Sequence, residues 1–148
     1  MADAPRGIVD NDPWNVAAMT DRDKEAVIAC LLSAEGNTRL SNVSGATDPR
    51  VSQIVEQTTV EVSALYMVSY VITGNFDHAN AVAIRDPAAS DDDEDAVRAV
   101  DLRAKHKAVM RRAYAAYRSW YADLRKTGWR MMVALRPDPL VEAGLRWY

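Results

Sequence analysis

Between Pro87 and Gly128 the chain contains neither glycine nor proline, and apolar residues recur there at alternating spacings of three and four. A backbone without a breaker over that distance reads as one amphipathic helix. Ser90 offers an N-cap, and Asp91, Asp92, Asp93, Glu94 and Asp95 fall in the first turns, where the helix dipole favours negative charge. Arg125 and Lys126 precede Gly128 at the other end, the arrangement of a helix stop. The predicted helix has roughly 35 residues and extends over about 50 Å. Such a length exceeds what one compact core requires, so the helix must bridge something.

Helical spacing places Ala99, Leu102, His106, Val109, Met110, Ala113, Tyr117, Trp120, Tyr121 and Leu124 on the side facing the core. The opposite side carries Val97, Ala104, Ala108, Ala115, Ser119 and Ala122. This small-residue strip is either ordinary exposed helix former or a second packing face.

The remaining glycines and prolines also fall between periodic segments and mark two further helices. One is predicted from about Thr20 to Glu35, capped by Thr20 with Asp23, with Val27, Ile28, Leu31 and Leu32 on its apolar face and Gly36 at its end. The other runs from about Asp48, with Pro49 in its first turn, to Thr73 before Gly74. Its β-branched stretches, Thr58 to Val62 and Val68 to Thr73, would suit strands too, but the end signals agree on a helix. Past Glu61 it is apolar nearly all round, as expected of a central helix. Segment 36–47 reads as a loop, and 75–89 as a loop with one helical turn near Ala79 to Ile84. Beyond Gly128, the alternation of Trp129, Met131, Val133 and Leu135 reads as a strand or extended arm. The tail from Leu140 to Tyr148 is apolar enough either to fold back on its own core or to dock on a neighbour.

The expected fold is therefore all-α: a small bundle of three main helices, one of them long, over residues 20–128, with an N-terminal arm (1–19) and a C-terminal arm (129–148). With 148 residues, 49% hydrophobic and 26% charged, the composition excludes wholesale disorder. Nothing in Met1 to Val16 resembles a secretory signal, and the stretch from Thr58 to Gly74 is too short, with Glu61 inside it, to span a membrane. An intracellular protein is expected. Cys30, the single cysteine, permits no internal disulfide and is expected as a small buried residue.

Little in the chain points to catalysis. His106 falls in the apolar stripe and reads as a core histidine, while His78 beside Asp77 reads as solvated. No phosphate loop, nucleophile elbow, HExxH pair or dinucleotide fingerprint is present, and the acidic run lacks the spacing of an EF-hand. Neither a metal nor a cofactor is expected, and an enzyme built on His78 and Asp77 is the weakest of the readings.

Charge distribution says more. From Arg98 to Arg130 ten basic residues face two acids, a local excess of +8, so the rest of a chain of net charge −3 carries −11. Arg103, Lys107, Arg111, Arg118 and Arg125 line one flank of the core stripe, and Arg98, Lys105 and Arg112 the other. Basic residues interleaved with Tyr114, Tyr117, Trp120 and Tyr121 would suit a nucleic-acid backbone, but those rings face the core. Pairing of the basic helix with acidic surface on another copy, or plain solvation of its charges, is favoured instead. Trp129, Leu145, Trp147 and Tyr148 join the basic flank as candidate contacts with neighbours.

In its order of features the chain resembles the head-to-tail connector, or adaptor, proteins of tailed phages. The likeness covers residues 20–125: a short leading helix, a helix rich in small apolar residues from Asp48-Pro49-Arg50-Val51 to Tyr70-Val71-Ile72-Thr73-Gly74, and a long helix from Val100-Asp101-Leu102-Arg103-Ala104 to Tyr117-Arg118-Ser119-Trp120-Tyr121. The resemblance implies a structural subunit of a homo-oligomeric ring in the virion, assembled in the host cytoplasm. It would join portal to tail-side proteins around double-stranded DNA, without catalytic residues. The acidic run and the tail after Pro139 have no counterpart in that pattern. The alternative is a small helical regulator that binds nucleic acid or a protein partner through the basic helix.

Overall fold

A helix whose side chains are apolar all round has to be covered on every side, and this requirement organises the chain. The protein is described here by a computed structural model covering residues 12–41, 58–80, 82–88 and 99–147, of which 99–105 are described as helical backbone only. In these residues four α-helices occur: α1 (Asp21–Leu32), α2 (Val60–Thr73), α3 (Ala99–Thr127) and α4 (Trp129–Leu135). Two short strands, β1 (Ile84–Arg85) and β2 (Arg146–Trp147), pair antiparallel, with Ile84 opposite Trp147. The fold is predominantly helical, and no helix among the described residues is long and apolar enough to cross a membrane.

The central helix is α2, in which every residue from Glu61 to Ile72 is buried. It is shorter than expected. The cap at Asp48 and Pro49 lies outside the described residues, and Thr58 and Thr59, read as helical from sequence, are extended instead. Thr59 bridges Leu40, with Ser41 N–H donating to the Thr58 carbonyl and Val60 N–H to the Arg39 carbonyl, both at 2.8 Å. Paired β-branched threonines fit that extended conformation better than a helix. Gly74 ends α2 as predicted, at φ +71°, which glycine adopts without steric cost.

Thr20 caps α1 as its sequence indicates. Its hydroxyl accepts from Asp23 N–H at 3.1 Å, and the Asp23 carboxylate accepts from Thr20 N–H at 3.2 Å. Ile28 and Leu32, four apart, are buried, with Val27 and Leu31 packed beside them. Cys30 is exposed, contrary to expectation. Lying two residues from both Ile28 and Leu32, it points off the opposite side of the helix.

Over its described length α3 has 29 residues and extends about 43 Å. Its predicted start at Ser90 and the acids 91–95 lie outside the described residues. Met110, Ala113, Tyr114, Tyr117, Trp120 and Leu124 form its buried side. At Gly128 the backbone takes φ +93° and the chain turns directly into α4.

The segment after Gly128 departs most from expectation. It is a helix and not an extended arm, because burial follows a period of three to four: Trp129 and Met132 are buried and Val133 half-buried, while Met131 and Leu135 are exposed. Its Arg, Met, Ala and Leu residues also favour helix. Trp120 Nε1–H donates to the Arg136 carbonyl at 2.7 Å, and Arg136 forms ion pairs with Asp123 and Glu142. Leu140 and Leu145 are then buried in the same core as α2 and α3. Residues 129–147 thus pack on their own chain. Near Ala79 to Ile84, where a helical turn was expected, Ala79, Asn80 and Val82 are bends ahead of β1, and Ala81 lies outside the described residues.

The described end of the N-terminal segment is also pinned. Asp12 caps a one-turn helix, Val16–Ala18, by accepting from Val16 and Ala17 N–H at 2.7 and 3.0 Å, and Val16 is buried. Burial of Leu140 yields a test of the folded-back tail: Leu140→Ala is expected to destabilise the protein by about 2–5 kcal/mol, measured by urea unfolding. A tail free of the core would give a loss near zero.

Candidate functional site

Helix α3 carries most of the residues expected to meet a partner, and the structure divides them. Lys107, Arg111 and Arg125 are exposed and make no ion pair or hydrogen bond with any described residue. Arg118 is engaged within the chain: its guanidinium donates to Glu35 Oε2 at 2.9 and 2.7 Å and to the Leu32 carbonyl at 3.1 Å, tying the end of α1 to α3. Arg112 similarly donates to Asp86 and to the Ala143 carbonyl, both at 2.6 Å. The side chain of Arg103 and all of Tyr148 lie outside the described residues. Ala108, Ala115, Ser119 and Ala122 form an exposed strip along the outer side of α3.

The aromatic and apolar candidates turn inward. Trp129 is only 8% exposed, edge-on to Trp120 and with the Lys24 ammonium 5.1 Å from its ring centroid. Leu145 is 3% exposed. Trp147 donates from Nε1 to Ser69 Oγ and Tyr117 Oη, each at 3.2 Å, and its ring stands edge-on to Tyr66. These three side chains were expected at a neighbour's surface, but they complete the core and interior hydrogen bonds of this chain.

A cavity of about 870 Å³ opens between α3 and the residues Glu35, Gly36, Thr38, Thr59 and Glu61. Met110 and Tyr114 supply its apolar wall, Lys107 and Arg111 stand along the α3 side, and Glu61, Thr59 and His106 supply further polar lining. Glu61 is only 6% exposed although it carries the sole charge of α2. Its Oε2 accepts from Gly36 N–H at 3.1 Å, while Oε1 lies 3.7 Å from His106 Nε2. The Tyr114 hydroxyl donates to the Glu61 carbonyl at 2.7 Å, which fixes α2 against α3 beneath the cavity. Thr59 Oγ1 is buried without a hydrogen-bond partner. His106 is not the core histidine expected, since its side chain is 48% exposed. The sequence signal for this site was Glu61, a lone carboxylate in an apolar helix, which needs a local partner to be held inside.

His78, expected in solvent, is half-buried between rings: its centroid lies 4.2 Å from Tyr66 and 5.7 Å from Trp147. Its Nε2 lies 3.0 Å from the Tyr66 carbonyl, which can only accept, so Nε2 carries the proton of the neutral ring. Burial holds the His78 pKa below its ordinary 6.5, opposed by the Tyr66 carbonyl and by Asp138 and Asp77. Burial also pushes the Tyr66 hydroxyl up to about 12. Among the described residues no group of three or more His, Cys, Asp or Glu side chains is placed to hold a metal ion. Comparison with protein-family models, with curated proteins and with solved structures finds no match for the chain.

The His78 environment sets a pH dependence. With its folded pKa below the unfolded one, the unfolded state binds the proton more readily, so this contribution is present above about pH 6.5 and is lost as pH falls through the folded value. Urea unfolding between pH 7.5 and about 5 should show stability declining, with a shallower decline in His78→Gln. An equally steep decline in the variant would remove His78 as its source.

Proposed function

We propose that the chain is a structural subunit that assembles with copies of itself into a ring, in the manner of the phage connector proteins it resembles, between portal and tail-side proteins around double-stranded DNA. The observation that carries this reading is the outer side of α3, where Ala108, Ala115, Ser119 and Ala122 leave a shallow strip beside Arg125, which has no partner among the described residues. A second helix can approach such a strip closely, and acidic surface on the neighbour would then meet Arg125. The exposed apolar pair Met131 and Leu135, one turn apart on α4, adds surface of the kind that an interface covers. Burial of Trp129 and Leu145, with the inward hydrogen bonds of the half-buried Trp147, moves the proposed contacts from the tail to this helix face.

The same unpaired cations support a second reading, a regulator that holds a phosphate backbone along α3. Light scattering separates the two. The ring reading predicts a species several times the 16.4 kDa chain mass, reduced to the monomer by Ala115→Arg/Ala122→Arg with far-UV circular dichroism unchanged. A strict monomer or dimer that binds DNA, with affinity falling steeply as salt rises, would instead establish the regulator.

A further inference from the structure

The cavity beneath the bridge between Leu40 and Thr59 has features that assembly along α3 does not require. Its volume of about 870 Å³ lies in the range of sites that enclose small organic ligands. Lys107 and Arg111 are four apart on one side of α3, so their side chains are neighbours. Neither has an ion pair or hydrogen bond with any described residue, although acidic Glu35 and Glu61 line the same cavity. Glu35 is paired with Arg118, and Glu61 accepts from Gly36 N–H. Among the described residues, two cations are therefore left beside an apolar wall without an ion-pair partner.

We propose that this cavity binds a small amphiphilic anion. Its anionic head would be held by Lys107 and Arg111, and its apolar body, of the size of one or two rings, would lie against Met110 and Tyr114. The guanidinium of Arg111 matches a carboxylate, sulfonate or phosphate through paired N–H donors, and the Lys107 ammonium adds a second charge. Near an apolar wall such contacts are less screened than on an open surface. The Glu61 carboxylate, almost fully buried, repels an anion and so fixes the ligand's orientation, with the head toward the cations and away from Glu61. At that inner end, Glu61 Oε1 has only the 3.7 Å approach of His106, and Thr59 Oγ1 has no partner. Both can accept from an N–H or O–H on the ligand body. A divalent cation does not fit this arrangement, because it would face Lys107 and Arg111.

Two fluorescent probes of the same ring system test the proposal: anilinonaphthalene sulfonate, which carries the anion, and N-phenylnaphthylamine, which lacks it. Titrated into the native 148-residue chain, the sulfonate should saturate a single site and bind more tightly than the neutral probe. Lys107→Gln/Arg111→Gln should weaken the sulfonate about tenfold and leave the neutral probe nearly unchanged. Circular dichroism and the thermal midpoint establish that the variant is folded, and each single variant repeats the comparison at about a threefold loss. Ala122→Arg alone, three turns from Arg111, should leave sulfonate binding intact, which separates this site from the assembly face. Sulfonate affinity unchanged in Lys107→Gln/Arg111→Gln, equal affinity for the two probes, or binding that does not saturate would each overturn the proposal.

Discussion

Helix α2 is enclosed on all sides yet brings polar groups inside with it, and all of these except the Ser63 hydroxyl, which has no hydrogen-bond partner, are met by a surrounding element. An unsatisfied buried donor or acceptor costs about 1–3 kcal/mol, so these requirements act as addresses that direct each neighbour to one place. The Tyr70 hydroxyl donates to Asp12 and accepts from Trp14 N–H, which seats the N-terminal turn. That hydrogen bond also holds the Asp12 carboxyl below its ordinary range. The Tyr66 hydroxyl donates to the Phe76 carbonyl and fixes the loop after α2. Ser69 hydrogen-bonds Tyr117 of α3, and Trp147 of β2 donates to both. Glu61 engages the Gly36 turn through its carboxylate and α3 through its carbonyl.

Function follows from what this enclosure leaves outside. Since α4 and the tail supply Trp129, Met132, Leu140 and Leu145 to the core, they present few of their large side chains to a neighbour. Helix α3 is covered along one side only, and its outer strip is the longest regular surface among the described residues. The cavity arises at the N-terminal end of α2, where Glu61 is drawn inward to the Gly36 turn and Lys107 and Arg111 have no carboxylate partner among the described residues. The proposed assembly strip and the proposed ligand cavity therefore lie on adjoining sides of one helix, with Arg111 and Ala115 four residues apart where they meet.

Local chemistry made much of this legible in advance. The Thr20 and Asp23 capping box, the stops at Gly74 and Gly128, and the all-round burial of α2 depend on neighbours in sequence and appear as read. What escaped depends on long-range contact. His78 next to Asp77 looks solvated until Tyr66 and Trp147 close over it from distant positions. Trp129, Met131, Val133 and Leu135 fit an alternating pattern, and only the shared burial of Trp129 and Met132 marks the segment as a helix. In the candidate site, Lys107 and Arg111 were visible as charges, but their lack of partners was not, since Arg118 beside them has one in Glu35. Tyr114 was missing from the predicted stripe because it sits at that stripe's edge, where the Glu61 carbonyl draws it in.

Native-state hydrogen exchange of the α2 amides tests this account most directly. A helix enclosed by all its neighbours cannot be exposed until they have separated, so amides from Leu65 to Ile72 should exchange only through global unfolding, with the denaturant dependence of the whole chain. Exchange of those amides by a smaller opening, while α3 from Tyr114 to Leu124 remains protected, would contradict it.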